Sequence, residues 1–190
     1  MSALIHEDKT FNNLLNSAKD TKNAEFENCT FNKCDFSNAL FHSCKFIDCI
    51  FSACDFTMTR LTNSQLNNAI FKDCKLLGVN FSDCANLPFS VKFENCILDY
   101  ASFARKKMLK TSFINSSLKH SDFSESDLTK SIFMKADLLN TVFNRTNLKE
   151  VDFTSALNYI IDPELNTIKK AKFSMNGLAG LLNKYDIIID

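Results

Sequence analysis

The sequence predicts an all-β solenoid in which each turn of the coil has four sides. A large apolar residue recurs at every fifth position from Phe26 to Phe81 and again from Phe93 to Phe153. The position two residues before each of these centres is almost always small. A period of five fits neither an α-helix nor a regular strand, but it suits a chain that turns a corner at every repeat.

The alternation of residue types after Phe93 indicates four sides rather than three. The centres there alternate between Phe and Leu, with Met108 replacing Leu once. An alternation with a period of ten residues places one residue type in each stacked column only if a turn holds about twenty residues. The strongest predicted inward centres are Phe26, Phe31, Phe36, Phe46, Phe56, Phe103, Phe113, Phe123, Phe133 and Phe143.

The repeat divides the chain into three predicted segments. An N-terminal cap spans 1–23, where Phe11, Leu14 and Leu15 are expected to cover the first turn. The coil spans 24–156, with an interruption near 86–90 after which the centres are displaced by two positions. A capping and dimerisation segment spans 157–190.

The C-terminal segment is predicted to contain short helices and an interface. Asp162-Pro163-Glu164 is typical of a helix start, with Pro at the first helical position, and Ser174 is a candidate cap for a second helix. The segment is more apolar than a cap requires, which favours a contact between two chains. The candidate dimer interface consists of Leu178, Leu181, Leu182, Tyr185, Ile187, Ile188 and Ile189.

Composition excludes several function classes. The formal net charge is zero, which argues against a dedicated nucleic-acid-binding protein. All 8 Cys lie in the small slot, where cysteine packs as a small hydrophobe, so we predict neither metal ligands nor disulfides. The N-terminus resembles no signal peptide and no apolar run reaches membrane-spanning length, so a cytoplasmic protein without membrane contact is expected.

No constellation of catalytic residues is visible. His6, His42 and His120 are scattered, and there is no glycine-rich phosphate loop. Aspartates that precede the centres are expected to face outward in turns rather than to form an acid–base pair. A thin rod filled with Phe also has no room for a substrate, so the sequence predicts a protein that is not an enzyme and needs no cofactor.

Two irregularities mark a candidate interaction surface. Lys106 falls in an inward slot that cannot hold a charge cheaply, so the coil is predicted to bulge there. Pro88 lies about one turn earlier on the same side. An inherited insertion beside a solvated charge cluster is the alternative interpretation. The candidate surface consists of Asp35, Asp55, Pro88, Arg105, Lys106, Lys107 and Lys110.

The repeat resembles that of the pentapeptide-repeat family. Cys34-Asp35-Phe36-Ser37-Asn38 and Ser126-Asp127-Leu128-Thr129-Lys130 match its pattern of a small residue, Asp or Asn, Leu or Phe, and two variable residues. In layout, and in the segment from Ile161 to Leu182, the chain is similar to the branch of Qnr-type quinolone-resistance and microcin-immunity proteins. The resemblance implies a right-handed quadrilateral β-helix that dimerises through its C-terminus.

The resemblance also implies a partner, DNA gyrase or topoisomerase IV, bound by a rod that imitates duplex DNA. The charges support mimicry only in part, because Lys75 follows Asp35 and Asp55 in the same column. The alternative is a structural protein–protein interaction module with an unrelated cytosolic partner. Its contact would be made by Ile50 and Ile70 or by the basic residues 105–110, without direct binding of nucleic acid.

Overall fold

The computed structural model describes residues 4–15 and 20–188, and it confirms the predicted four-sided β-helix. The strand pairings of the described residues are parallel, and all except one join residues twenty apart, as in Phe26 with Phe46 and Phe31 with Phe51. The strands are β1 (Ile5–Glu7), β2 (Thr10–Asn12), β3 (Asp20–Lys22), β4 (Glu25–Glu27), β5 (Thr30–Asn32), β6 (Leu40–His42), β7 (Lys45–Ile47), β8 (Ile50–Ser52), β9 (Gln65–Lys72), β10 (Phe89–Glu94), β11 (Ser112–Ile114) and β12 (Ile132–Met134). Single parallel bridges join the turns on the sides that form no strand.

The interruption is confined to one side of one turn. β9 pairs with β10 through Phe71 and Phe93 on one side and through Leu66 and Phe89 on the adjoining side. The next sides remain stacked across the insertion, as the bridge between Asn80 and Ser102 shows. The extra residues are therefore taken up at 84–90, which includes a cis peptide bond at Leu87-Pro88.

Stacked phenylalanine rings fill the interior. Phe113 lies parallel to Phe93 and Phe133, with ring centroids 5.4 and 4.8 Å apart. It also meets Phe103 and Phe123 edge-on at 5.9 and 5.6 Å. Both arrangements are favourable for aromatic pairs. All the predicted inward centres are buried in one continuous core.

The small inward slot has a second task that its size does not reveal. Where the residue in the slot carries a donor, its side chain in most cases donates a hydrogen bond to the backbone carbonyl of a centre in the turn before. Examples are Cys49 Sγ to Phe26 O (3.3 Å), Thr59 Oγ1 to Phe36 O (2.7 Å) and Asn166 Nδ2 to Phe143 O (3.0 Å). A buried carbonyl needs such a partner. The slot therefore favours residues that are small and also carry a donor.

The corners of the coil use left-handed backbone with almost no glycine. The second residue after a centre has a positive φ, as in Asn28 (51°), Ala53 (53°) and Lys130 (63°), and Gly78 is the only glycine so placed among the described residues. Asn and Asp tolerate this conformation, whereas other side chains pay roughly 1–2 kcal/mol for it. At corner residues other than Gly, Asn and Asp, substitution by glycine can therefore stabilise the protein.

Replacing Ala53 with Gly should stabilise the protein. Removing the Cβ relieves the left-handed strain, and this gain exceeds the extra entropy lost by glycine, so we expect a net gain of about 0.5 kcal/mol. Thermal or denaturant unfolding measures it. Ala104→Gly is the control, because Ala104 has no positive φ and should lose about 0.5–1 kcal/mol. Equal effects of the two changes would contradict the argument.

Regular stacking extends further than 24–156 in both directions. Phe11 does not cover the first turn from outside but lies within it, paired with Phe31 and stacked on it at 4.9 Å. His6 occupies the neighbouring centre and stacks on Phe26. At the other end, Phe173 stacks on Phe153 at 5.4 Å. Both ends therefore continue the coil.

The first predicted helix is wrong, and the second is correct only in part. Asp162 Oδ1 accepts a hydrogen bond from the amide of Glu164 (2.8 Å), which forms a turn instead of a helix start. The coil continues there, so Pro163 lies at a centre position. Ser174 does cap a helix, but a 3-10 helix at Met175–Gly177, followed by α1 (Ala179–Leu182) and a further 3-10 turn at Asn183–Tyr185.

Candidate functional site

The predicted acidic residues are used to form turns. Asp35 and Asp55 are neighbours in one column, and Lys75 follows them, as predicted. Asp35 Oδ1 accepts a hydrogen bond from the amide of Ser37 (2.9 Å), and Asp55 Oδ1 accepts one from Thr57 (2.8 Å). This is the usual turn-forming role of aspartate. The column carries no continuous row of negative charge, which a phosphate mimic would need.

The interruption presents an exposed apolar tip. Leu87 is 74% exposed, and Pro88 beside it is also exposed. Phe89 turns inward and takes the place of a centre, with its ring 6.3 Å from that of Phe81. We call residues 84–90 the break loop. Phe89 anchors the loop in the core, whereas Leu87 and Pro88 at its tip face solvent.

Lys106 holds the break loop from inside the rod. The side chain is only 1% exposed, and Nζ donates to Cys84 O (2.5 Å), Asn86 Oδ1 (3.0 Å) and Ala85 O (3.5 Å). Nζ also lies 5.2 Å from the centre of the Phe89 ring, at a distance suited to a cation–π contact. The lysine is therefore a fixed internal strut and is not part of the outer surface.

The predicted bulge at Lys106 is wrong. The backbone there is regular, since Lys106 N donates to Phe103 O (3.1 Å) and Asp127 N donates to Lys106 O (2.9 Å). The inserted residues leave carbonyl groups facing inward, and the long side chain reaches them from the next turn. Burial lowers the pKa of Lys106 and raises that of the neighbouring Cys84 thiol to about 12. The sequence signal was the approximate twenty-residue distance between Lys106 and the insertion.

The other predicted surface residues are available to a partner. Arg105, Lys107 and Lys110 are exposed along one side of the turn that contains Lys106, with Arg105 and Lys110 at the two corners that bound it. We call these three residues the basic side. On another side, Ile50 and Ile70 are paired neighbours in β8 and β9, with Ile50 36% exposed. The exposed candidate residues thus form three separate features, which are the break loop, the basic side and the apolar pair of Ile50 and Ile70.

The C-terminal segment packs on the last turn and leaves an apolar outer face. Leu181 packs against the core, whereas Leu178, Leu182, Tyr185, Ile187 and Ile188 are exposed. Ile189 lies outside the described residues. The exposed set is consistent in position with a contact surface, and its pairing with a second chain stays a prediction.

Ion pairs and a close backbone approach fix this segment. Lys184 Nζ lies 2.9 Å from Asp162 Oδ1 and 2.6 Å from Glu164 Oε2, and these contacts lower the pKa of both carboxyl groups. Ile161 N donates to Gly180 O (3.0 Å). A Cβ at Gly180 would overlap the backbone carbonyl of Tyr159, so only glycine permits this approach.

Replacing Gly180 with Ala should detach the C-terminal segment. The added Cβ meets rigid backbone, and such overpacking costs roughly 1–3 kcal/mol. Limited proteolysis and hydrogen exchange should show faster cleavage and exchange in 174–188, with the Phe core unaffected. Ala179→Gly in the same helix is the control. Unchanged protection in Gly180→Ala would show that the segment can shift without loss.

The described residues offer little for catalysis. A cleft between the last turn and the C-terminal segment is lined by residues such as Asn158, Tyr159 and Ser174, without His, Cys or carboxylate. Within 4–15 and 20–188, no three His, Cys, Asp or Glu side chains converge on one metal position. None of the helices described is long and apolar enough to cross a bilayer.

Comparison with protein families identifies the repeat. The family model "Pentapeptide repeat region" matches residues 24–103, and the model "Pentapeptide repeats (8 copies)" matches residues 121–157. The chain belongs to the pentapeptide-repeat proteins. The unmatched part between the two models contains the basic side and Lys106, where this pentapeptide-repeat protein departs from the usual small slot.

Solved structures similar to this pentapeptide-repeat protein share low sequence identity with it. Full-length QnrB1, a plasmid-mediated fluoroquinolone resistance protein, is 17% identical over 96% of this chain and 100% of its own, with a TM-score of 0.47. HetL, involved in heterocyst differentiation regulation in Nostoc sp. strain PCC 7120, is 15% identical over 92% of this chain and 88% of its own, with a TM-score of 0.36. A search of curated protein sequences finds no significant match.

Proposed function

We propose that this pentapeptide-repeat protein is a non-enzymatic rod that binds a protein partner, mainly through the break loop. The observation that carries the proposal is the pairing of an exposed apolar tip with an internal anchor. Leu87 and Pro88 project from the rod while Lys106 fixes the backbone beneath them. A loop held in place before binding loses less entropy when it docks.

A type II DNA topoisomerase, DNA gyrase or topoisomerase IV, is the partner to test first. Support comes from the resemblance of the repeat and of 161–182 to quinolone-resistance and microcin-immunity proteins. The acidic columns do not support imitation of DNA, because the carboxylates of Asp35 and Asp55 form turns and Lys75 interrupts them. In this proposal the break loop, rather than an acidic face, recognises the enzyme.

A gyrase supercoiling assay with and without a quinolone tests this partner. The wild-type protein should inhibit supercoiling or protect it from the drug, and Leu87→Asp should abolish the effect. Leu139→Asp is the matched control, because Leu139 is another exposed leucine, distant along the chain from the break loop. If the wild type neither inhibits, protects nor co-purifies with gyrase or topoisomerase IV, these partners are rejected.

An unrelated cytosolic protein is the second candidate partner, favoured by the neutral overall charge. Its contact would be the paired Ile50 and Ile70. Ile50→Asp should then weaken binding to a captured partner while Leu87→Asp leaves it unchanged. If Leu87→Asp weakened binding and Ile50→Asp did not, the contact would lie in the break loop instead.

We also propose that two chains pair through the exposed C-terminal residues. Apolar patches of this kind often mark interfaces. Light scattering should give a dimer for the wild type and a monomer for Ile188→Asp, because Ile188 is 91% exposed and its change disturbs no internal contact. A wild-type monomer at micromolar concentration would reject this interface.

A further inference from the structure

Four cysteines in consecutive turns form one uninterrupted column. Cys34, Cys54, Cys74 and Cys96 each precede a residue of a bridged column, in which Asp35, Asp55, Lys75 and Ile97 pair in order. All four are buried and free of disulfide bonds. Their sulfur atoms therefore follow one another along the rod with one thiol per turn.

Two sulfur atoms in this column accept backbone hydrogen bonds. Cys34 N donates to Cys54 Sγ, and Cys54 N donates to Cys74 Sγ, both at 3.4 Å. Backbone donors on sulfur stabilise thiolates, as they do around iron–sulfur clusters.

The spacing of the turns suits a metal ion held between two sulfurs. Across the turn from Cys34 to Cys54, the rings of Phe31 and Phe51 have centroids 4.9 Å apart, and across the turn from Cys74 to Cys96, those of Phe71 and Phe93 are 5.3 Å apart. An ion midway between thiolates at these spacings would have bonds of about 2.5 and 2.7 Å, and the paired sulfurs must close in by a few tenths of an ångström to reach the roughly 2.3 Å of a metal–thiolate bond. Two opposed sulfurs leave no further ligands, which excludes tetrahedral zinc but suits soft ions that accept two-coordinate thiolate sites, Cu(I) above all.

We propose that this column binds soft monovalent cations of the Cu(I) class, each between the thiolates of consecutive turns. Cys34 with Cys54 forms one site and Cys74 with Cys96 forms the other. Binding replaces two S–H protons with two sulfur–metal bonds and releases both protons, so no electron is transferred and no oxidant is needed. Each ion needs only the two sulfur ligands of one pair, so three ligands do not have to converge on one position.

The remaining cysteines provide internal comparisons. Cys29 and Cys49 are stacked one turn apart, as the pairing of Thr30 with Ile50 shows, and form a third pair of the same kind. Cys44 and Cys84 belong to a column in which Ser64 separates them, so neither has a cysteine in the adjacent turn. The arrangement therefore predicts three ions for the whole chain.

Silver(I) is the probe, because it has the same charge as Cu(I) and the same preference for two ligands. Bound silver is counted by native mass spectrometry after the protein has passed through excess glutathione. The ion is supplied both to folded protein and during refolding, because all the thiols are buried. Wild type should retain three ions, Cys54→Ser/Cys74→Ser one, and Cys44→Ser/Cys84→Ser three. The two double variants keep the same number of cysteines, and Ser already occupies equivalent slots at Ser64 and Ser116.

Two results would overturn the proposal. One is the absence of silver from the wild type under both loading conditions. The other is an equal loss of silver in the two double variants, which would show unspecific capture by thiols. Circular dichroism and thermal unfolding of each variant establish that it is folded, and silver should raise the unfolding temperature of the wild type but not that of a Cys29→Ser/Cys49→Ser/Cys54→Ser/Cys74→Ser variant.

Discussion

Phe113→Ala should lower the free energy of unfolding by about 4 kcal/mol, which is within the range for removing a buried aromatic ring. The Phe113 side chain has no exposed surface and touches four other rings, two by stacking and two edge-on. A solenoid turn contacts only its neighbours, so this change weakens the interfaces on both sides of one turn. Denaturant unfolding followed by circular dichroism measures the loss.

Position along the rod should decide how much a lost ring costs. Phe173 is only partly buried and stacks on Phe153 alone in its column, so Phe173→Ala should cost about 2 kcal/mol. Phe113→Leu should cost less than Phe113→Ala, because Leu already fills alternate centres and leaves a smaller cavity. If Phe113→Ala and Phe173→Ala had the same effect, the rod would not be stabilised turn by turn.

The coil could be predicted from sequence because the same five-residue pattern determines, in almost every repeat, which side chains point inward. Phe31 needs only a large apolar neighbour a turn away, and Phe51 and Phe11 supply it. The sequence pattern assigns Phe11 to a cap because the two intervening centre positions, Thr21 and Asn16, are not apolar. The same rule would have extended the coil at the other end, since Ile168 and Phe173 continue the lattice beyond Pro163.

The donor role of the small slot could not be read from residue size. Ala39 and Thr59 are both small, but only Thr59 can donate to the carbonyl of Phe36. This requirement depends on a backbone group in another turn, which becomes adjacent only after the coil is assembled. The same applies to Gly180, whose necessity depends on the carbonyl of Tyr159.

The bulge predicted at Lys106 is wrong for a related reason. The cost of burying the lysine charge favours a bulge when the side chain is considered alone. In the folded coil, however, the inserted residues expose carbonyl groups to the interior, and no sequence pattern indicates this. Cys84 O and Ala85 O are two such groups, and the ammonium satisfies both. The buried ammonium of Lys106 thus provides a hydrogen-bond donor for the carbonyl groups that the inserted residues turn inward.

Lys106→Met should destabilise the protein by about 2 kcal/mol. Met keeps the length and apolar stem of Lys but removes every donor, so Cys84 O and Ala85 O are left without the ammonium. An unsatisfied buried acceptor costs about 1–3 kcal/mol, and part of this is offset because the charge no longer has to be buried. Asn86 is exposed, so its amide can turn to water at little cost.

The break loop should report the change more sensitively than global unfolding. Without the strut, 84–90 should exchange amide hydrogens faster and be cleaved sooner by protease, and a partner that recognises the loop should bind more weakly. Lys107→Met is the matched control, because Lys107 is exposed and should change stability by less than about 0.5 kcal/mol. If Lys106→Met and Lys107→Met had equal stability and equal loop protection, water would be able to replace the ammonium. The shape of the loop would then depend on Phe89 in the core rather than on Lys106.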